Sequence, residues 1–151
     1  MNPIPELPIA EFAFPGPLRD HLVALVRAGV KTATTSTLAE YRTGEEPLPQ
    51  VGGHQAVVDS AGHPVAVIET TSVVVVRLAD VTLEHVRAEG EGHTSVGEWR
   101  ATHERFWSSE LMRAELADAA FRVTDDTEVV LEGFRLVTAT NMVEAMGRET
   151  Q

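Results

Sequence analysis

The sequence predicts an α+β fold, a small and partly open β-barrel with helices packed against its ends. Several segments have the length and composition of short strands, and only a few have helical periodicity. One of the helices comes early, and the strands do not alternate with helices of crossover length, as a parallel sheet would require. We divide the chain into an extended arm (1–15), one folded domain (16–138) and a frayed tail (139–151).

The first predicted element after the proline-rich arm is a helix over residues 17–28. Leu18, Leu22 and Leu25 recur there at helical spacing. Pro17 suits the first turn of a helix and Gly29 suits the position just past its end. Threonine and valine favour strands, so we expect the chain to leave the Gly29 turn as an extended segment.

The middle of the chain predicts a loop and a β-hairpin. Proline and glycine mark residues 45–53 as a loop. Residues 55–59 and 64–78 have strand composition, and 60–63 has the residues of a hairpin turn. The uninterrupted valine run at 73–76 predicts a segment buried on both faces.

The last third of the chain predicts two helices and one or two closing strands. Thr82 can cap a short helix that ends near Ala88. Ser95 and Glu98 have capping-box spacing, so a longer helix should begin there. Residues 127–138 have the composition of one or two strands. The longer helix carries three ring-bearing side chains on one stripe: Trp99, His103 and Phe106.

Composition excludes several classes of function. The chain has no cysteine, which rules out disulfides, thiolate metal sites and a cysteine nucleophile. A net charge of −11 argues against a non-specific duplex DNA binder, because such binding depends on neutralised phosphates. A small cleft for a nucleotide or a short single strand remains compatible with an acidic protein.

The N-terminal sequence does not resemble a targeting segment. Residues 1–14 lack a basic region followed by an apolar run, which a signal peptide requires. No stretch approaches the roughly 20 apolar residues of a spanning helix. We therefore expect a cytoplasmic protein without membrane contact.

Lys31 is the only lysine, whereas eleven of the twelve basic side chains are arginine. An ammonium is compact and can give up its proton, which a guanidinium does not do in proteins. Hydroxyls follow at Thr32, Thr34, Thr35 and Ser36. The pattern indicates a lysine that activates a threonine hydroxyl, or else a threonine-rich strand with a solvated lysine. In an extended segment Lys31 and Thr34 face opposite sides, so they converge only if the backbone bends.

Glu89 and Glu91 flank a single glycine at the end of the short helix. One of them could act as a general base or hold a cation, and with His93 they could ligate a metal. A solvated acidic turn is the alternative. Because Glu89 lies three residues after the apolar Val86, we expect Glu89 to point inward and Glu91 into solvent.

Trp99 has two possible roles. It could stack against a base if its ring were exposed. Aromatic side chains at helical spacing more often pack in a core.

Several blocks of the sequence resemble one known family. The segment Gly29-Val30-Lys31-Thr32-Ala33-Thr34 resembles the Gly-x-Lys-x-x-Thr/Ser signature of the ASCH domain, a PUA-like β-barrel module. Further blocks at 48–52, 64–71, 88–92 and 98–100 resemble the longer bacterial members in the same order. The resemblance covers residues 16–138.

The resemblance implies a cleft with the lysine motif on its floor. Members are thought to bind RNA or nucleotides; one bacterial branch hydrolyses the acetyl group of acetylated cytidine, and another cuts single-stranded RNA. Carried over by motif, the lysine is Lys31, the threonine Thr34 and the glutamate Glu89, with Glu91 as its competitor. The other candidate ligand-binding residues are Gly29, Thr32, Ser36, Glu91 and Trp99.

These matches imply a hydrolase acting on an acylated nucleoside or on single-stranded RNA. We expect neither a metal nor a cofactor. Thr34 would be the nucleophile, Lys31 would stabilise charge, and Glu89 would handle protons. The alternative is a non-catalytic RNA- or nucleotide-binding module in which Lys31 pairs with a phosphate. Ser36 stands where one branch has arginine, and Ser72 stands where an acidic residue is expected.

Overall fold

A computed structural model describes residues 7–137 of the chain. This part has a mixed α+β fold with five strands and five α-helices. The strands are β1 (Ile9–Ala10), β2 (Ala33–Thr37), β3 (His54–Val58), β4 (Pro64–Arg77) and β5 (Glu128–Leu136). The helices are α1 (Pro17–Arg27), α2 (Leu38–Gly44), α3 (Leu83–Ala88), α4 (Val96–Trp107) and α5 (Glu110–Glu115). The arm residues 1–6 and the tail 138–151 lie outside the described part.

The five strands form one sheet in the order β1-β3-β4-β5-β2. The β1–β3 pair is parallel and the other pairs are antiparallel. Across the intervening β4, Gln55 of β3 donates a 2.7 Å hydrogen bond to Glu132 of β5. The sheet does not close: β1 and β2 are its two edges within residues 7–137. The predicted α+β class is therefore confirmed, whereas a barrel is not.

A large cavity occupies the space where closure would occur. Its volume is about 1120 Å³, and residues of both edge strands line it. Two strands hydrogen-bond only at a separation near 4.8 Å, so edges that flank such a space cannot pair. The open curl creates a cleft between the arm, β2 and β3.

The valine run in β4 is not buried on both faces, and that prediction was wrong. Val74 and Val75 are 52% and 38% exposed. The pairing of β4 with β3 ends at Glu69, and a bulge follows between Thr70 and Ser72. Beyond the bulge β4 pairs only with β5 in the described part, so its valines lie at a sheet edge.

The predicted helices in the first and last thirds are confirmed. Helix α1 begins with Pro17 at its first position. The side chain of Thr82 caps α3 by accepting from His85 N, and Ser95 caps α4 by accepting from Glu98 N. Helices α2 and α5 were not predicted, because they are short and have no clear apolar periodicity.

Two hydrophobic clusters hold the helices against the sheet. Helix α1 packs with the arm residue Phe12 and with Phe134 of β5. Helices α3, α4 and α5 pack around Trp99 and Trp107. The lysine motif follows α1 directly, and Lys31 Nζ lies 5.9 Å from the ring centre of Phe12.

Among residues 7–137, no helix combines the length and the hydropathy that a bilayer crossing requires.

Candidate functional site

Lys31 is buried between two carboxylates. It is 2% exposed. Its Nζ lies 2.8 Å from Glu91 Oε2 and 3.3 Å from Glu89 Oε1. The same nitrogen donates to the backbone carbonyl of Ala33 at 2.9 Å. A buried ammonium needs such partners because its desolvation is costly.

Lys31 and the two glutamates meet because the backbone segments that carry them cross closely. Gly29 ends α1 with a φ of +74°, and the next residues run against the end of α3. Thr32 N donates to Ala88 O at 2.8 Å. Gly90 has a φ of +69°, and a Cβ there would lie 2.4 Å from Val30 O. Only glycine permits this close crossing of the two segments.

Glu89 accepts hydrogen bonds from three directions at one oxygen. Its Oε2 accepts from Thr35 Oγ1 at 2.7 Å, from Trp99 Nε1 at 2.9 Å and from His85 Nε2 at 3.0 Å. The residue has no exposed surface. Strand β2 and helices α3 and α4 therefore meet at this carboxylate.

The other oxygen of Glu89 faces cations. Lys31 Nζ lies against Oε1, and His103 Nε2 lies 3.5 Å away. Burial raises the pKa of Glu89, but hydrogen bonds from His103 and His85 and the charge of Lys31 together hold it well below its usual range. Burial alone would lower the pKa of His103. The hydrogen bond to Glu89 and the charge of that carboxylate more than offset this effect, so the pKa of His103 is raised above its usual value. Glu89 is thus a fixed carboxylate rather than a ready proton acceptor.

Glu91 does not point into solvent, contrary to expectation. Its side chain is 15% exposed and makes the shorter of the two contacts with Lys31. The positive φ of Gly90 turns the loop back toward Lys31 instead of continuing along the helix. Glu89 and Glu91 therefore act on the same ammonium.

Trp99 cannot stack a base in this structure, because its ring is fully buried. It donates its indole N–H to Glu89 and its backbone carbonyl accepts from His103 Nδ1 at 2.9 Å. That hydrogen bond turns His103 Nε2 toward Glu89. Trp99 and His103 of α4 therefore both help to orient the Glu89 carboxylate.

The threonines of β2 divide between the two faces of the strand. Thr35 lies on the side of Lys31, where its hydroxyl contacts Glu89 and His85. Thr34 points the other way and is paired directly with Glu132 of β5. Thr34 nevertheless lines both of the cavities that open along this strand.

Glu132 is a second buried carboxylate that the sequence did not reveal. It is 5% exposed, and its Oε2 accepts from Gln55 Nε2 at 2.7 Å and from Thr70 Oγ1 at 2.8 Å. Burial raises its pKa, and these two hydrogen bonds only partly oppose that effect. The available signal was a charged residue inside the apolar run of residues 129–134.

Two adjoining cavities open along the motif. The smaller has a volume of about 430 Å³ and is lined by Lys31, Glu89, Glu91 and His103 among others. The larger lies over Glu132 and Gln55. Both volumes are in or near the range of small-ligand sites, ~300–1,000 Å³. The two cavities share the hydroxyl-bearing Thr34 and Ser36.

Glutamate dominates the walls of both cavities. Each has five glutamates among its described lining residues. The larger has no lysine or arginine among them, and the smaller has only Arg19 and Lys31. Arg19 and Lys31 both lie against glutamates, so carboxylates outnumber these cations in each wall.

The remaining motif residues have structural positions. Gly29 forms the turn after α1, and no atom outside its neighbours would meet a Cβ there. The Thr32 hydroxyl donates to Ala88 O at 3.1 Å.

One potential metal-ligand group exists in the described part: atoms of Glu89, Glu91 and His103 lie within 4.8 Å of one another. The Lys31 ammonium lies against both of these carboxylates, where it would compete with a metal ion.

The fold and the site together define a mixed α+β domain built around a buried lysine in a glutamate-rich cleft. The ASCH domain family model matches residues 11–138, and the chain belongs to this family. The family has a PUA-like fold.

Two solved structures are similar over most of their length. The ASCH domain from Lactobacillus crispatus JV V101 has a TM-score of 0.73 at 29% identity, covering 86% of this chain and 79% of that one. Protein EF3133 from Enterococcus faecalis V583 has a TM-score of 0.74 at 29% identity, covering 91% of this chain and 80% of that one. No curated protein matches the sequence.

The Gly90 crossing predicts a large stability difference between two glycine substitutions. Gly90→Ala should lower the free energy of unfolding by about 3 kcal/mol, because strain at positive φ adds to the clash with Val30 O. Gly92→Ala is the matched control: its φ is +90°, but nothing lies within 4 Å of a Cβ. It should cost only about 1 kcal/mol. Urea unfolding measures both, and equal losses would contradict the crossing.

The unequal environments of the two acids predict unequal stability losses. Glu89→Gln should cost about 3–5 kcal/mol at pH 7, because it breaks a buried ion pair; Glu91→Gln should cost about 1–2 kcal/mol. Since the folded pKa of Glu89 is lowered, its contribution is present above glutamate's ordinary pKa and is lost as pH falls through the folded value. Denaturant titrations between pH 7 and pH 3 check this, and a larger loss for Glu91→Gln would reverse the assignment.

Glu132 should destabilise the fold at neutral pH. Its folded pKa is raised, so stability is present below glutamate's ordinary pKa and is lost as pH rises through the folded value. Glu132→Gln should therefore raise Tm at pH 7 by about 3 °C. The gain should vanish below about pH 4. Calorimetry at the two pH values is the measurement, and a lowered Tm at pH 7 would refute this interpretation.

Proposed function

We propose that this ASCH domain protein is an amidohydrolase that removes an acyl group from the base of a nucleoside. The observation that carries the proposal is the Lys31 ammonium, fixed by Glu89 and Glu91 at the wall of a cavity that Thr34 also lines. The two groups do not touch, because Thr34 faces the other side of β2 from Lys31, but both line the same cavity. An oriented cation in the wall of a cavity is suited to stabilising the negative charge that forms when a bound acyl carbonyl is attacked.

The reaction would proceed through an acyl-threonine. Thr34 Oγ would add to the acyl carbonyl carbon, and Lys31 would stabilise the resulting oxyanion. The C–N bond would then break, and the amine of the base would leave with the proton from the hydroxyl. Water would hydrolyse the threonine ester and release the carboxylic acid. The Thr34 hydroxyl forms no side-chain hydrogen bond to Lys31 or Glu89 in residues 7–137, which leaves it available to a ligand.

The two glutamates beside Lys31 would have different roles. Glu89 is saturated with donors and has a strongly lowered pKa, which favours a role in anchoring Lys31. Glu91 is partly exposed to the cavity and contacts Nζ at 2.8 Å. It is therefore the better placed of the two carboxylates for proton transfer, which reverses the expectation from the sequence.

The charge of the cavities favours an uncharged nucleoside over a phosphate-bearing ligand. Phosphates are ordinarily held by free lysine or arginine side chains or by helix N-termini. Each described wall carries five glutamates, and the smaller cavity sets only Arg19, Lys31 and His103 against them, so a ligand with a permanent negative charge meets an excess of carboxylates. Cleavage of single-stranded RNA, and a phosphate contact at Lys31, are thus less well supported. RNA binding without catalysis remains the alternative function, by family.

Two substitutions separate an enzyme from a binding module. Lys31→Arg should reduce turnover of an N-acylated nucleoside at least about 100-fold, because the guanidinium is larger and cannot take the same position. Thr34→Val should abolish turnover but weaken binding by no more than about 1–2 kcal/mol, the loss of one hydrogen bond. Mass detection of the deacylated nucleoside and of the acid measures turnover.

Thr71→Val is the matched control, since Thr71 is an exposed strand residue outside both cavities. It should retain full activity. Wild-type protein that binds nucleosides without turnover would favour the binding module. Parallel losses of binding and turnover in Thr34→Val would make Thr34 a recognition residue.

A further inference from the structure

We propose that Glu132, held by Gln55 and Thr70, is a recognition subsite for a nitrogen donor on the heterocycle of the ligand. The subsite lies on the floor of the larger cavity. It deepens the function proposed above, since it would select which bases reach Thr34. The ligand class is a heterocycle with an amino or amide N–H, as opposed to one with a carbonyl oxygen at the same position.

The register of the sheet places this subsite beside the proposed nucleophile. Thr34 of β2 and Glu132 of β5 are directly paired across an antiparallel ladder. Paired residues project from the same face with their Cβ atoms about 5 Å apart. A ligand nitrogen bound at Glu132 would therefore hold its substituent next to the Thr34 hydroxyl.

The hydrogen bonds of Glu132 leave one acceptor for a ligand. Gln55 and Thr70 both donate to Oε2. Within residues 7–137 no side chain donates to Oε1, and no lysine, arginine or histidine forms an ion pair with this carboxylate. A carboxylate that is 95% buried and lacks a cation is costly unless a further donor reaches it. The raised pKa of Glu132 is consistent with that cost.

The two donors also fix the direction of the free oxygen. The Gln55 amide comes from β3 and the Thr70 hydroxyl from β4, so the carboxylate is held across the curl of the sheet. An oriented acceptor of this kind accepts an N–H and repels a carbonyl oxygen. Recognition of a polar group by such a buried partner discriminates strongly against the analogue that lacks it.

The test uses two pairs of unacylated nucleosides that differ at one position. Cytidine and adenosine carry an amino group where uridine and inosine carry a carbonyl oxygen. Titration calorimetry should show that wild-type protein binds the amino member of each pair at least about 10-fold more tightly. In Glu132→Gln the preference should fall below about 3-fold, because the amide oxygen would keep the hydrogen bonds from Gln55 and Thr70 and the amide NH2, a donor, would take the place of the free acceptor.

Two further variants control for folding and for charge. Glu128→Gln lies on the same strand but is exposed and outside both cavities, so it should keep the wild-type preference. Gln55→Ala leaves the carboxylate in place but removes one of the hydrogen bonds that orient it, so it should also reduce the preference. Equal affinities within each pair, no detectable binding of any nucleoside, or a preference that survives both Glu132→Gln and Gln55→Ala would overturn the proposal.

Failure of the subsite and failure of the hydrolase give different results. Selective binding that depends on Glu132, with no turnover of any acylated nucleoside, would retain the subsite and refute the hydrolase. Turnover with equal affinity for amino and carbonyl bases would retain the hydrolase and refute the subsite. Lys31→Arg should lose turnover and keep the binding preference.

Discussion

The contact on which the structure of the cleft depends is the buried ion pair between Lys31 and Glu89. Neither side chain could be desolvated alone at acceptable cost, so each requires the other. Glu89 requires further donors as well, and these come from Thr35, His85 and Trp99. Strand β2 and helices α3 and α4 can satisfy them only when all three are in place. The ion pair thus couples the helical cluster to the sheet.

The alternation of side chains along β2 divides the cleft into two chemically distinct halves. Glu89 lies on the Thr35 side, surrounded by donors that keep it ionised. Glu132 pairs with Thr34 on the other side, where burial raises its pKa. Environments that shift two carboxylates in opposite directions are typical of sites that need different roles from the same chemical group. Here one carboxylate fixes a cation and the other remains available as an acceptor.

The parts of the fold that were predicted depend on local sequence. Helix α1 follows from periodicity and Pro17, and the caps of α3 and α4 follow from Thr82 and Ser95. The inward position of Glu89 follows from its distance to Val86 along the helix. The rest depended on contacts between distant segments. Glu91 returns to Lys31 because of the crossing at Gly90, and the exposure of the β4 valines depends on where β3 ends. Neither the strand register nor the curl of the sheet can be derived from periodicity, so Glu132 was missed.

The acidic composition bears on ligand binding because many of the glutamates line the cleft. A net charge of −11 says little about ligands when it is spread over a surface. In this chain five glutamates line each cavity, and the cations among them are already paired. A polyanionic ligand entering the cleft would meet repulsion that increases as water is excluded. A neutral heterocycle would meet none and could offer its N–H groups to the surplus of acceptors. The same glutamates that make the cleft costly to bury therefore restrict what it can bind.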